Sequence, residues 1–243
     1  MRGTVPLSVR QEIEQCVVDT VVEVARPEIL RVFSADSCVA SARIALDVFA
    51  YFGIAAKPVP VSVAVFNADA YDLLEREGSL DAVAVAVMAY EPSFVGGPWT
   101  IGMGAQGVPD RPVAAGHVVV GLPTLGQFVD LSLDQVSRPV KSIVLSASAF
   151  PVDPASGFLM VVGAKEGYAV GQETGGPVRL LYTHEPQHLY KGSPNWQRST
   201  SQPDGRQVFK EVTRNVLREV KRQVAVVKQS AGAGAGAGVD ADG

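Results

Sequence analysis

The residue with the clearest chemical potential is Cys38, which ends the stretch Ser34-Ala35-Asp36-Ser37-Cys38 ahead of an apolar helical pattern. A cysteine in the first turn of a helix lies at the positive end of the helix dipole, among backbone N–H groups without intrahelical partners. Both effects favour the thiolate, which is the nucleophilic form of the side chain. The other cysteine, Cys16, lies in the apolar stripe of an earlier helical pattern, where a cysteine is usually a small buried hydrophobe. Cys38 is therefore the candidate nucleophile.

His117 and Asp130 could supply the base and the orienting group that a cysteine nucleophile needs. His117 lies in a valine-rich strand pattern, and Asp130 follows thirteen positions later in the next strand pattern. The segment 123–126, Pro-Thr-Leu-Gly, joins the two patterns into a hairpin, in which residues at this separation can lie opposite each other or nearly so. Asp130 would then hold one ring nitrogen of His117 and leave the other for Cys38. The three residues predict a Cys-His-Asp triad.

The order of these motifs resembles that of the papain-like cysteine enzymes. A cysteine on a helix, a histidine on a strand and an aspartate on the next strand are similar to the transglutaminase-like branch of that superfamily, and arylamine N-acetyltransferases share the order. Residues 116–120 and 128–135 are similar to the histidine and aspartate strands of the group. The resemblance covers residues 34–135 and implies a papain-like or transglutaminase-like core, with Cys38, His117 and Asp130 as catalytic residues. The tryptophan that often flanks the cysteine in transglutaminases and the Arg-Gly-Gly stretch of the acetyltransferases are both missing.

Candidate substrate-binding residues lie on either side of the histidine strand. The connection over residues 91–111 is rich in glycine and proline. A connection of this length is often a lid or a binding loop, and the alternative is a surface loop without a function. We expect its aromatic residues Phe94 and Trp99 to line the substrate site. Gln135 is added by the resemblance, since members of the group continue past the aspartate with a serine or threonine and an Asp-Gln pair. The expected substrate is a small-molecule or protein acyl compound.

A second motif, His184-Glu185-Pro186-Gln187-His188, matches the HExxH pattern of zinc peptidases. That mechanism needs a helix, so that both histidines share a face and the glutamate reaches the zinc-bound water. A strand-like run over residues 180–183 leads into the motif, and Pro186 is unfavourable in a helix interior. The pattern therefore favours surface histidines in a loop, and no metal or other cofactor is predicted.

The composition excludes several classes of partner. With 243 residues, 47% of them apolar and 19% charged, the chain can bury the core of a globular domain. The net charge of -4, without a basic and aromatic surface pattern, argues against nucleic acid. We expect no signal peptide, no membrane-spanning segment and no membrane partner. Two cysteines cannot form a disulfide framework, which indicates a reducing, cytoplasmic location. The oligomeric state stays open.

The elements that must position the triad predict an α+β fold. N-terminal helices, including the Cys38 helix with Ser34 or Asp36 as its N-cap, should pack on an antiparallel sheet, and a helix over residues 207–229 should close the domain. A first helix should stop at Pro27 or restart there, and residues 80–90 fit either a helix or a strand. A short helix is predicted at 69–77, and strands at 58–66, 113–122, 127–133, 142–149, 158–163 and 178–183. One domain, residues 1–229, should precede a disordered Ala/Gly-rich tail at 230–243.

Three functions of different class fit the sequence. The favoured one is cysteine-dependent acyl chemistry, either hydrolysis of an amide or thioester by a cysteine protease-like hydrolase, or acyl transfer by an acyltransferase or transglutaminase-like enzyme. The second is a non-catalytic binding or regulatory protein on the same scaffold. A zinc metallopeptidase through His184-Glu185-x-x-His188 is the third alternative.

Overall fold

A computed structural model provides the structure of the chain. It describes residues 7–33, 37–89, 97–98, 100–103, 117–137, 144–152, 160–165, 178–184 and 205–236. Within these residues the chain forms five α-helices, a short 3-10 helix at Leu133–Val136 and seven strands. The helices are α1 Leu7–Leu30, α2 Cys38–Tyr51, α3 Ala68–Glu77, α4 Leu80–Ala89 and α5 Gly205–Gly236. The strands are β1 Lys57–Phe66, β2 Thr100–Met103, β3 His117–Leu122, β4 Gln127–Asp130, β5 Ser148–Pro151, β6 Met160–Lys165 and β7 Val178–His184.

The strands form a single antiparallel sheet in the order β5-β4-β3-β1-β7-β6, with β2 paired to the end of β1. The predicted α+β class, with an antiparallel sheet and a C-terminal helix, is confirmed. Strand β7 pairs with β1 only at Val61–Phe66, so among the described strands the segment 57–60 pairs with β3 alone. Pro58 and Pro60 therefore lie where one side of the strand is an edge, because proline has no N–H to give to a second neighbour.

Helices α1, α2 and α5 cover one face of the sheet. The closing helix buries a stripe of four valines, which packs with the apolar faces of α1 and α2 against every second residue of β3. The stripe consists of Val212, Val216, Val220 and Val224. Because side chains alternate across a strand, Val118, Val120 and Leu122 face these helices while Val119 belongs to the core of the opposite face. The two helices α3 and α4 pack around the other end of β1 and β7.

Several local predictions differ from the structure. Helix α1 continues through Pro27 to Leu30, since the proline lies in the last turn and the buried residues Arg26 and Ile29 hold that turn in the core. The strand expected at 142–149 is formed at Ser148–Pro151. Of the two alternatives left open for residues 80–90, the helix is formed, at Leu80–Ala89.

The closing helix extends beyond its predicted end at residue 229. Helix α5 continues to Gly236, so residues 230–236, assigned to the tail, are helical. Extending an existing helix fixes only one residue for each hydrogen bond that forms, so it costs less free energy than starting a new helix. Alanine, which recurs in this segment, has the highest helix propensity. The remainder of the expected tail, residues 237–243, lies outside the described residues.

Candidate active site

Cys38 is the first residue of α2, as predicted, and its side chain is half-buried. The N-cap is Ser37, so the prediction of Ser34 or Asp36 as N-cap is wrong. The Ser37 side chain makes no capping hydrogen bond, because its hydroxyl accepts a hydrogen bond from Arg26. The N–H groups of the first turn of α2 are therefore not consumed by this serine, and they surround Cys38 with the positive end of the helix dipole.

His117 and Asp130 are brought together by the hairpin of β3 and β4. The turn at residues 123–126 contains Gly126 at φ +59°, a conformation that glycine adopts without strain. Val120 pairs with Val129, and continuing this register places Asp130 opposite Val119, one pleat from His117 on the same face. The two side chains meet diagonally: Nε2 of His117 lies 2.8 Å from Oδ2 of Asp130, and both side chains are fully buried.

The second ring nitrogen of His117 is the one left for Cys38. Nδ1 is buried, and no atom of the described residues lies at a hydrogen-bonding distance and angle from it. The Cys38 side chain nevertheless interacts with the ring, because it contributes both a hydrogen bond and a charge interaction to the raised pKa of His117. His117 thus interacts with both Asp130 and Cys38, and the catalytic role of the three residues stays a prediction.

Asp130 is held by two further donors besides His117. The backbone N–H of Ser132 donates to Oδ1 at 2.9 Å, and the hydroxyl of Tyr182 on β7 donates to Oδ2 at 3.0 Å. Tyr182 is itself packed edge-on against Phe128. A carboxylate that accepts three hydrogen bonds in a fully buried setting is fixed in position and keeps its negative charge.

Electrostatics make His117 and Asp130 an ion pair. Burial alone would lower the pKa of His117, but the charge and the hydrogen bond of Asp130, with the smaller contributions of Cys38, raise this pKa to about 9. Burial would raise the pKa of Asp130, whereas His117, Ser132 and Tyr182 together bring it below its ordinary value. Burial and the neighbouring Asp130 raise the pKa of Tyr182 well above its usual range, so the phenol remains a donor. At neutral pH His117 is therefore an imidazolium.

Replacing Tyr182 by phenylalanine should lower the free energy of unfolding by roughly 1.5–3 kcal/mol, the contribution of a hydrogen bond to a charged group. The ring is retained, so only the donor to Asp130 is lost. Urea denaturation at pH 7 measures the change, and Tyr51→Phe on the exposed face of α2 is the matched control. Equal stabilities of the two variants would mean that the Tyr182 hydroxyl does not hold the carboxylate.

Arg26 of α1 forms hydrogen bonds both with the start of α2 and with the segment that follows Asp130. Its Nη1 donates to the hydroxyls of Ser37 at 2.8 Å and Ser41 at 3.3 Å. Its Nη2 donates to Oδ2 of Asp134 at 2.8 Å, and Nε lies 2.7 Å from Oδ1 of the same carboxylate. The guanidinium is nearly fully buried, so this contact fixes Cys38 and Asp130 relative to each other through their neighbours in the chain.

Of the predicted substrate-binding residues, Phe94 and Trp99 lie outside the described residues. Gln135 lies half-buried in the 3-10 helix, and its backbone N–H donates to the carbonyl of Ser132. Its role in substrate binding stays a prediction. Its neighbour Asp134, which the resemblance also matched, serves as the partner of Arg26.

The HExxH motif begins on a strand. His184 is the last residue of β7 and pairs with Val61 of β1, so the expectation that it lies in a loop is wrong. Glu185 and His188 lie outside the described residues. In the part of the chain that the structure describes, no three His, Cys, Asp or Glu side chains cluster as metal ligands would.

Sequence reasoning missed Arg26 and Tyr182. Both are buried in the structure, Arg26 on α1 and Tyr182 on β7, and Tyr182 also lies in a predicted strand. The available signal was that a buried polar side chain needs partners. The sequence does not show which partners these are, since Tyr182 and Asp130 are separated by 52 positions.

Comparisons with protein-family models, with curated proteins and with solved structures found no match. Among the described helices, none combines the length and apolar character that crossing a membrane requires.

Proposed function

We propose that the protein carries out cysteine-dependent acyl chemistry, with Cys38 as nucleophile, His117 as general acid and base, and Asp130 as the group that orients His117. One observation carries the proposal: a fully buried His117–Asp130 ion pair interacts with a cysteine in the first turn of a helix. A structural histidine needs neither a buried carboxylate nor a thiol neighbour, whereas a nucleophile, base and orienter need this order of contacts. The proposal includes a papain-like or transglutaminase-like core.

The first half-reaction forms a thioester. The imidazolium of His117 stabilises the Cys38 thiolate, whose sulfur attacks the carbonyl carbon of the acyl substrate. The Cys38 backbone N–H, at the positive end of α2, donates to the oxyanion that develops. The bond to the leaving group then breaks, and His117 Nδ1 gives its proton to that group. Throughout this step Asp130 holds Nε2–H, which keeps the ring oriented and stabilises its positive charge.

The second half-reaction releases the acyl group. The imidazole of His117 removes a proton from water or an amine, and the oxygen or nitrogen attacks the thioester carbonyl. The carbon–sulfur bond breaks, the Cys38 thiolate is regenerated beside the imidazolium, and the product is an acid or an amide. Water as acceptor makes the protein a hydrolase, and an amine makes it a transferase. We place this chemistry in a reducing compartment such as the cytoplasm, since neither cysteine forms a disulfide.

The test compares the two cysteines within the same protein. Cys16 and Cys38 are both half-buried, so Cys16→Ser and Cys38→Ser each leave one thiol of similar exposure. We expect Cys38 to react with iodoacetamide faster than Cys16 and faster than glutathione, and to form an acetyl-thioester with p-nitrophenyl acetate that mass spectrometry locates on its peptide. Cys38→Ser should stay folded and lose both reactions.

Slow alkylation of Cys38, with no acetyl-enzyme, would contradict the enzyme assignment. That result would favour a non-catalytic binding or regulatory protein on the same scaffold. Unfolding of Cys38→Ser combined with unreactive Cys38 would mean that the cysteine only fills the core.

A further inference from the structure

A groove lies between α2 and α5, and none of the residues that line it belongs to the triad. Its volume is about 660 Å³, within the range of sites that hold one small ligand. Phe209 and Leu217 of α5 provide an apolar floor, and the surface of the groove is mostly apolar. The apolar surface favours a ligand that has a hydrocarbon or aromatic body.

The rim of the groove is strongly basic. Five of its lining side chains are cationic and one, Asp47, is acidic. The cations are Arg43, Lys210, Arg214, Arg218 and Lys221. Within the described residues none of the five is in an ion pair with a carboxylate, whereas Arg10, Arg26, Arg31, Arg76 and Arg222 each are. Asp47 offsets part of this charge, since the charge of Arg43 acts on its carboxyl, but five cations against one carboxylate leave an excess of positive charge. On a chain of net charge -4, this local excess attracts an anion.

Two buried polar atoms at the groove have no partner among the described residues, namely Nη1 of Arg43 and Oγ1 of Thr213. The guanidinium of Arg43 is stacked over the Phe209 ring, 4.4 Å from its centroid, so the cation is fixed beside the apolar floor. The positive charge of this fixed guanidinium, and not its buried Nη1 atom, is what the groove offers to an anion. The fixed cation and the apolar floor thus define the two ends of one ligand.

We propose that this groove binds a small amphipathic anion, whose aliphatic or aromatic body lies on Phe209 and Leu217 and whose carboxylate or phosphate group is bound by Arg43. The other cationic side chains of the groove, all on α5, attract the anion electrostatically. This site is independent of the proposed acyl chemistry, because it needs neither Cys38 nor His117.

Calorimetric titration of the full chain with decanoate and with decyl phosphate, below the concentrations at which either forms micelles, tests the proposal. Both should bind, whereas acetate, which lacks the body, and decyltrimethylammonium, which has the opposite charge, should bind at least about tenfold more weakly. Arg43→Gln should weaken decanoate binding about tenfold or more. Arg218→Gln removes an exposed cation of the rim without touching the core and should weaken binding as well. Lys228→Gln makes the same charge change on α5 outside the groove and should leave binding unchanged.

Three results would overturn the proposal. Equal affinity for decanoate and decyltrimethylammonium would reduce the groove to a nonspecific apolar surface. Unchanged affinity in both Arg43→Gln and Arg218→Gln would place any binding elsewhere. Binding to anionic phospholipid vesicles that depends on Arg218, without binding of decanoate or decyl phosphate, would make the face a membrane-contact surface instead of a ligand site.

Discussion

Replacing Asp130 by asparagine should leave His117 neutral at pH 7 and reduce turnover of an activated ester by roughly ten-thousandfold, the loss expected when a triad carboxylate becomes an amide. The burial that lowers the pKa of His117 remains in this variant, while the charge that raises it is gone. The amide can also present its NH₂ group to Nε2, which stabilises the wrong tautomer of the ring. Stopped-flow assays with p-nitrophenyl acetate measure the turnover, and NMR titration of the imidazole follows the pKa of His117.

Asp72→Asn is the matched control, since it makes the same change at an exposed position of α3. It should keep both the turnover and the pKa of His117. If Asp130→Asn leaves His117 charged at pH 7, then Asp130 is not the group that holds the proton on the ring, and the proposed orienting role is wrong.

The same ion pair should make stability depend on pH. The folded pKa of His117, about 9, lies above the ordinary value of 6.5. Its contribution to stability is therefore fully present below pH 6.5 and is lost as the pH rises through about 9, a loss on the order of 3 kcal/mol. Urea denaturation of the wild-type chain across this window should show the decline. Asp130→Asn should abolish this decline, because above pH 6.5 the imidazole is then mostly neutral in both the folded and the unfolded state.

The hairpin that joins His117 to Asp130 could be predicted because its determinants are local. A valine-rich arm, a Pro-Thr-Leu-Gly turn and a second apolar arm set which residues pair, and alternation then decides which ones share a face. Cys38 at the start of α2 was also predictable, since helix starts carry polar residues before an apolar pattern. The exact N-cap was not, because Ser37 is held by Arg26, a residue of another helix.

The rest of the site depends on contacts between distant parts of the chain. Tyr182 reaches Asp130 only because β7 and β3 both pair with β1, an arrangement that strand patterns alone do not specify. Arg26 and Asp134 are 108 positions apart, and nothing local to either residue identifies the other. Arginines are mostly exposed, so the burial of Arg26, like the choice of its partner, is decided by tertiary packing.

Arg26→Met should lower the free energy of unfolding by about 3 kcal/mol, because it leaves Asp134 without its charged partner and releases the hydroxyls of Ser37 and Ser41. This value is at the lower end of the range for breaking a buried pair, since a quarter of the Asp134 side chain is exposed. Thermal and urea denaturation measure the loss. Arg31→Met removes an exposed arginine that pairs with Glu28 near the end of α1 and should change stability by less than about 1 kcal/mol.

The double variant Arg26→Met with Asp134→Leu distinguishes the two contributions of Arg26, its ion pair with Asp134 and its hydrogen bonds to the start of α2. If the charge pair accounts for the loss, the double variant should regain most of the stability, because an apolar pair of similar volume replaces both charges. Cys38 alkylation should nevertheless stay slower than in the wild-type chain, since Ser37 and Ser41 still lack the donor that positions the first turn of α2. Recovery of stability together with wild-type alkylation would restrict Arg26 to a structural role, whereas stability restored without reactivity would identify it as the residue that positions the nucleophile.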